Sequence, residues 1–533
     1  MSDWYKYLTI ERDEHEDQMD MERVDAILFW GLAFIVLVIP LIVRVHIGDF
    51  ISPSITQTDV LDTGKKADVF TYYKFVVLLV STAFLSLVFL YKVLVLNYQI
   101  PKTKIDIALA VLAVCLTLSA VLAPYKTLAL YGLHNRHEGT LTYLCYLMLF
   151  FIASNIRYTV RRFQQFIYFL TPFIIINTIL GTLNFFGYDV LQLHWVRTLL
   201  YSSLPEGAKI AQGSSFLATI NHGNYVSGVS AFFVALFFCL AVLEKKIWKK
   251  ILNGLIASVA FALLLSSLSS NGFVTLVLMS PLFVYMIVKA EKRKVAALSS
   301  LVLMVVFVAV YVPFVKQNHR VWDETIGFFI PYNPFQQDHQ QAGLNTAFKD
   351  IEQVVGHITE RVVSGSSAYA DAEEYRLPKL PGPGIAPGSG RAFIWEKALE
   401  LISDKPFIGY GLDTFPYFFN QDDPEKNSNL GEGYSVIVDK PHNMYIGMAF
   451  GAGIVALFAL VVVMVGGPIQ LLRSTHVRFN VYIAALCAAL MAYVIQGMFN
   501  DSIIGTAVFF WVGLGVSIGF LRTTNKSIKG RNR

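Results

Sequence analysis

The chain has 533 residues, of which 55% are hydrophobic and 15% charged, with a formal net charge of +5. Soluble domains carry about 25% charged residues, so this composition excludes an ordinary soluble domain. Apolar runs of about 17–25 residues recur along the length and mark a polytopic membrane protein; the small positive charge is then no argument for nucleic acid, and the placement of basic residues matters instead.

Residues 1–26 are polar and acidic, from Glu11 to Glu22, with no basic n-region leading to a small-residue cleavage site. No removable signal peptide is expected, and this segment reads as a cytoplasmic tail. About twelve spans follow, near 27–45, 72–96, 107–123, 140–155, 164–187, 224–243, 251–268, 273–289, 295–312, 442–466, 481–497 and 503–521. The first nine fill 27–312 and the last three fill 442–521. Arg157, Arg161 and Arg162 follow the fourth span, Lys245, Lys246, Lys249 and Lys250 the sixth, and Lys289, Lys292, Arg293 and Lys294 the eighth. With the basic tail at 522–533 they share one side of an even-numbered bundle. The positive-inside rule makes that side, with both termini, cytoplasmic.

The opposite face holds 46–71, 124–139, 188–223 and one long insertion, 313–441, which exceeds usual loop lengths several-fold. Within it Leu344, Phe348, Ile351, Val355, Ile358 and Val362 recur at helical spacing. Ser364 to Gly390 is rich in Ser, Pro and Gly and reads as a strap or lid hinge. Ala392 to Ser403 is helical again, with Trp395, Leu399 and Ile402 on one side. Such helices lie on a membrane or cover a cavity, and packing without chemistry is the plainer reading.

Cys115, Cys145, Cys239 and Cys487 all fall in apolar spans without a CxxC spacing, which argues against both a disulfide framework and a metal site. Ionisable residues are almost absent from the spans; Arg44, Lys74 and Lys92 sit near ends, where they are expected to snorkel. Ion-coupled transporters need such groups near the midplane. No repeat relates the two halves, so transport is disfavoured.

Polar residues gather instead on the outer face. They are His134 to Glu138 before the fourth span, Asn221, His222 and Asn224 at the head of the sixth, Ser269 to Asn271 between the seventh and eighth, Arg391, and Pro441-His442-Asn443 before the tenth. Taken singly, each group is more often an interfacial anchor than a site. His442 is the most informative. A histidine at a helix mouth titrates near neutral pH, proline suits a first turn, and free N–H groups there would favour an anion.

The order of these motifs resembles the O-antigen ligase and polymerase superfamily. The resemblance runs through Arg391-Ala-Phe-Ile-Trp395, Asp404-Lys-Pro406-Phe-Ile-Gly409-Tyr-Gly411-Leu-Asp-Thr-Phe415, Pro441-His442-Asn443-Met-Tyr445 and Phe450-Gly451-Ala-Gly453. Asn221 to Asn224 is similar to that family's Asn-rich segment, and Tyr131 to Gly139 to its Gly-x-x-x-Arg-x-x-Gly segment. The chain departs at Ser270-Asn271-Gly272, where the family often has Ser-Arg-Gly. The resemblance spans roughly 124–521 and implies an all-α, GT-C-like glycosyltransferase of about twelve transmembrane helices with a large extracytoplasmic loop domain.

By the same resemblance the donor is an undecaprenyl-diphosphate-linked glycan, with no metal, nucleotide sugar or other cofactor. The acceptor is a glycan, lipid or protein hydroxyl. Membrane lipids and a flippase or chain-length protein would be the further partners. The implied catalytic residues are His442 as general base, with Arg391 and Arg136 holding the diphosphate through bidentate contacts. Asn443, Asn221, His222, Asn224 and Trp395 would bind substrate. Inversion would follow from a single displacement. Three readings stay open: a ligase moving a finished glycan, a polymerase joining repeat units, and a non-catalytic scaffold or transporter of a glycan-export system.

Overall fold

The computed structural model describes residues 14–53, 64–188, 190, 193–200, 202, 218–330, 333, 390–430, 437–477 and 479–531. The amphipathic segment expected at 344–362 and the strap at 364–389 lie outside the described residues. The fold is an all-α polytopic membrane protein. Among the described residues ten helices are long and apolar enough to cross a membrane, and two shorter apolar helices, Thr140–Ser154 and Val481–Gln496, coincide with the expected fourth and eleventh segments.

In chain order, α1 is Glu14–Val38, α2 Tyr72–Leu94, α3 Lys104–Leu122, α4 Lys126–Tyr131, α5 Thr140–Ser154, α6 Val160–Tyr168, α7 Thr171–Phe185, α8 His194–Leu200, α9 Gly223–Leu243, α10 Ile247–Ser266, α11 Ser270–Lys289, α12 Arg293–Gln317 and α13 Arg320–Asp323. After the insertion come α14 Arg391–Asp404, α15 Pro424–Leu430, α16 Met444–Met464, α17 Gly466–Val477, α18 Val481–Gln496 and α19 Ile504–Arg531. The membrane segments of α9 and α19 are wholly buried. Around α9 pack α10, α18 and α11, while α19 lies against α5, and α16 against α3. The outward faces of α11 and α12 stay apolar and exposed, as with Val284, Leu298 and Val305. A lipid-facing surface requires this.

Four sequence expectations change. The fifth span, expected as 164–187, is present as Val160–Phe185 but is broken into α6 and α7, because Thr171-Pro172 restarts the helix with proline in its first turn. The 46–71 connector contains an antiparallel hairpin, β1 His46–Phe50 with β2 Gly64–Asp68. Lys74 and Lys92 do not snorkel. Lys92 is turned inward, donating to Asp25 at 2.5 Å and to the Asn155 carbonyl at 2.7 Å, and Lys74 donates to the Thr219 carbonyl at 2.5 Å. A buried ammonium needs such partners. On α14 the packed face is Phe393, Ile394, Ala398 and Ile402, whereas Leu399 points to solvent and Trp395 is half-buried. The four cysteines are free thiols.

Candidate active site

The site is built around a broken helix. Gly453 interrupts α16 with φ 84° and ψ 172°, a conformation open to glycine because a Cβ clashes there. A break leaves backbone groups unpaired inside an apolar bundle, where each costs several kcal/mol. The turn after α14 pairs them. Tyr410 N–H donates to the Phe450 carbonyl at 3.0 Å, Gly411 N–H to Gly451 at 2.9 Å, and Ile454 N–H to Pro406 at 2.7 Å. Ser119 of α3 adds a bond to the Gly451 carbonyl at 2.5 Å. The turn needs φ of 71° at Gly409 and 100° at Gly411, and a Cβ on Gly409 would reach the Phe450 carbonyl at 2.5 Å. The two glycine motifs, some forty residues apart in sequence, are the halves of one joint.

That joint carries the chemistry-bearing residues. Phe393, Ile394, Ala398, Tyr410, Phe415 and Phe450 form a small separate core under α14, which sets Arg391 at its N-terminal end. Trp395 donates from Nε1 to the Pro441 carbonyl at 2.8 Å, fixing the segment that enters α16. His442 follows with φ 55°, a left-handed conformation that costs a residue of this kind about 1–2 kcal/mol. Asn443 caps α16, accepting from Tyr445 and Ile446 N–H at 3.0 and 3.2 Å. Met444 N–H bonds the Gly497 and Asn500 carbonyls at 2.9 and 3.0 Å. The helix-end donors expected to face an anion are therefore already partnered.

The same 497–500 turn delivers Asp501, which the sequence reading did not single out. Its Oδ2 lies 3.8 Å from His442 Nδ1, with the histidine side chain 31% exposed and the aspartate 6%. Desolvation by the surrounding protein pushes the imidazole down to about 4, against the upward pull of Asp501 and with Lys440 and Arg391 adding to the fall. His442 is thus neutral near pH 7, as a proton acceptor must be.

The two arginines are held differently. Arg136 is largely buried, with Nε 3.0 Å from Asp413 Oδ1; Asp413 Oδ2 also accepts from Leu133 N–H at 2.8 Å. Burial works against the guanidinium charge, but Asp413 and its acidic neighbours hold it firmly. Arg391 makes a long bond from Nη1 to Asn271 Oδ1 at 3.4 Å. Asn271 in turn donates to Asn500 at 3.1 Å, and Asn500 to the Asn224 carbonyl at 3.0 Å. Ser269 donates to Asn224 Oδ1 at 2.8 Å. Asn271, standing where the resembled family often has arginine, thus belongs to a chain of amides joining α14, α11, α9 and the 497–500 turn.

The remaining expected site residues gather at this end of the bundle with mostly local roles. His222 caps α9 by accepting from Asn224 N–H at 3.1 Å. Asn221 donates to the Asn135 carbonyl at 3.4 Å. Beside His442 an open cleft of about 40 Å³ is lined by Arg136, Glu138, Asp413, Lys440, Pro441, Phe450 and Asp501 among others. Neither His442, which follows the lining residue Pro441, nor Arg391 lines it. Lys440 is fixed there by Tyr225 at 3.0 Å and Asp439 at 3.3 Å. Glu138 belongs to the polar group noted before the fourth span and Asp413 to the 404–415 motif, but neither was given a role; Lys440 and Asp501 were missed because no local pattern marks them. Among the described residues no cluster of His, Cys, Asp or Glu has the arrangement of a metal site.

Residues 259–461 match the family model described as O-antigen ligase. No curated protein matches the chain. The matched stretch contains Asn271, Arg391, Trp395, the 404–415 turn, His442, Asn443 and Gly453, which is the joint just described. The match covers less than half of the chain and supports the O-antigen ligase and polymerase superfamily. It supports a function of that type, in glycan biosynthesis, for this multi-pass membrane protein.

Proposed function

We propose that the protein is a ligase-type membrane glycosyltransferase, moving a glycan from undecaprenyl diphosphate to an acceptor hydroxyl at the outer face of the cytoplasmic membrane. The observation that carries this reading is the neutral His442, with Asp501 at 3.8 Å on its Nδ1 side and Arg391 within electrostatic reach. Asp501 favours the tautomer with hydrogen on Nδ1, leaving Nε2 as the basic nitrogen. Nε2 takes the acceptor hydroxyl proton while that oxygen attacks the anomeric carbon. The bond from the anomeric carbon to the phosphate oxygen breaks, and undecaprenyl diphosphate leaves. A single displacement inverts the anomeric centre.

Arg391 would hold the charge growing on the leaving diphosphate, a contribution typically worth a few kcal/mol. Arg136, already paired with Asp413, would hold the cleft wall. Asn443, His222 and Trp395 would act by fixing the helix ends and the segment around the base, and Asn221 and Asn224 by lining the approach. The leaving group is a diphosphate and the base a histidine, so no metal is required and activity should survive chelation. The same reading keeps both termini and the tail 522–533 cytoplasmic, 27–312 and 442–521 as the membrane domain, and 313–441 as an outer loop domain.

The experiment is reconstitution with an undecaprenyl-diphosphate oligosaccharide and mass resolution of the products. A single transfer to a different acceptor is the expected result. A ladder of repeats on one lipid would make the protein a polymerase, and no product with any acceptor would leave a scaffold or transporter. His442→Ala should abolish product while leaving the protein folded, and wild-type turnover in that variant removes the assigned base.

A further inference from the structure

Glu138 is a titratable group at the site that the transfer just described does not use. It is 3% exposed and lines the cleft. The Tyr146 hydroxyl donates to its Oε1 at 2.8 Å, while Oε2 has no hydrogen-bond partner. Ser502 lies beside the carboxyl as a hydrogen-bonding neighbour that eases its ionisation, although its hydroxyl is not placed to complete that bond. A buried carboxyl oxygen left unpaired costs about 1–3 kcal/mol. A group kept in that state at the wall of a cleft is matched to something that enters the cleft.

The charges of the lining indicate what enters. Carboxyl groups of Glu138, Asp413, Asp439 and Asp501 face Arg136 and Lys440, and both cations already have aspartate partners at 3.0 and 3.3 Å. A diphosphate would meet carboxylates here with no uncommitted cation to offset them. A neutral sugar suits the lining. Its hydroxyls both donate and accept, and carboxylates are strong acceptors for them. Phe415, Phe450 and Met448 supply an apolar wall for the C–H face of a ring. Arg391, the freer guanidinium, lies outside the cleft lining.

We propose that this cleft is the subsite for the acceptor sugar, and that Glu138 donates a hydrogen bond through Oε2 to one of its hydroxyls. The inference rests on the transferase reading above and divides that site in two, with carboxyl groups for the acceptor and Arg391 for the diphosphate. Glu138 is suited to donate because burial pushes its carboxyl up to about 8, with Asp413 adding to the rise and Tyr146, Arg136 and Ser502 opposing it. The groups facing it are Tyr143 and Tyr146 from α5, Tyr493 from α18, Arg136 from its own loop, Asp413 from the turn after α14, Asp439 and Lys440 from the segment before α16, and Asp501 and Ser502 from the turn before α19. The proton is present at neutral pH and is lost as pH rises through about 8.

The test uses the full chain in lipid nanodiscs with two probes, a panel of methyl glycosides followed by saturation-transfer NMR and undecaprenyl diphosphate followed by native mass spectrometry. Wild type should bind at least one glycoside, and Glu138→Ala should bind it about tenfold more weakly, the loss expected for one hydrogen bond to a buried acid. Undecaprenyl diphosphate binding should stay within about twofold in that variant. Wild-type affinity for the glycoside should fall above pH 8, while Glu138→Gln, which keeps a donor, should bind equally at pH 7 and 9. Unchanged glycoside affinity in Glu138→Ala overturns the inference, as does a panel that wild type does not bind. Where the alanine variant fails to fold, a fall above pH 8 that persists in Glu138→Gln overturns it. Failure of wild type to bind undecaprenyl diphosphate counts against the transferase reading itself and is read in a separate arm.

Discussion

Replacing Asp501 by Asn isolates the electrostatic half of the proposed base. The exchange keeps size and removes one charge, 3.8 Å from His442 Nδ1. The imidazolium formed as His442 takes the acceptor proton is attracted to that charge by roughly 4 kcal/mol at an effective dielectric near 20. The histidine side chain is 31% exposed, and solvent screening reduces the figure to about 2 kcal/mol. That is about thirtyfold in kcat. The amide also no longer favours hydrogen on Nδ1, which lowers the fraction of the productive tautomer further. The assay is single-turnover transfer in proteoliposomes at saturating donor, with thermal melting as the control for folding. A kcat within threefold of wild type, in a variant that melts normally, would show that Asp501 does not support the base.

The acid limb of kcat/KM should lie near pH 4, because His442 must be neutral and gains its proton only as pH falls through about 4. A diphosphate charge about 5 Å away would raise the imidazole by about two pH units, so the limb of kcat should lie higher, and coincident limbs would refute this placement of the donor. Gly453→Ala should lower the melting temperature by several degrees, since φ of 84° and a collision with the Phe407 carbonyl together cost about 3 kcal/mol or more. Asp413→Ala should destabilise by about 3–5 kcal/mol in chemical unfolding, because it strips Arg136 of its buried partner and Leu133 N–H of its acceptor; a loss under 1 kcal/mol would show the pair is solvated.

The membrane character and the position of His442 were legible because each is local. An apolar run shows itself by length, and Pro441-His442-Asn443 stands where polar chain meets apolar helix. Lys74 and Lys92 misled because residues near helix ends usually reach for water, whereas here Thr219, Asn155 and Asp25 supply partners inside. Asp501 and Asp413 were illegible for a different reason. Asp501 acts through the contact of the 497–500 turn with Met444, and Asp413 through the docking of a glycine turn against a loop almost three hundred residues earlier. Neither contact leaves a periodicity or a spacing. The anion site imagined at the mouth of α16 failed because Asn443 and that turn satisfy the same N–H groups first.

The joint at Gly453 also fixes a vertical scale for the molecule. Pro406, Tyr410 and Gly411 are bonded to a membrane helix at a set depth, so α14 before them and His442 before α16 are measured from one reference point. Adding or deleting a single residue between Asp404 and Gly409 would shift Arg391 against His442 by more than the length of a hydrogen bond. In the transfer proposed above, the height at which the donor's diphosphate would meet Arg391 is then set by the helix break.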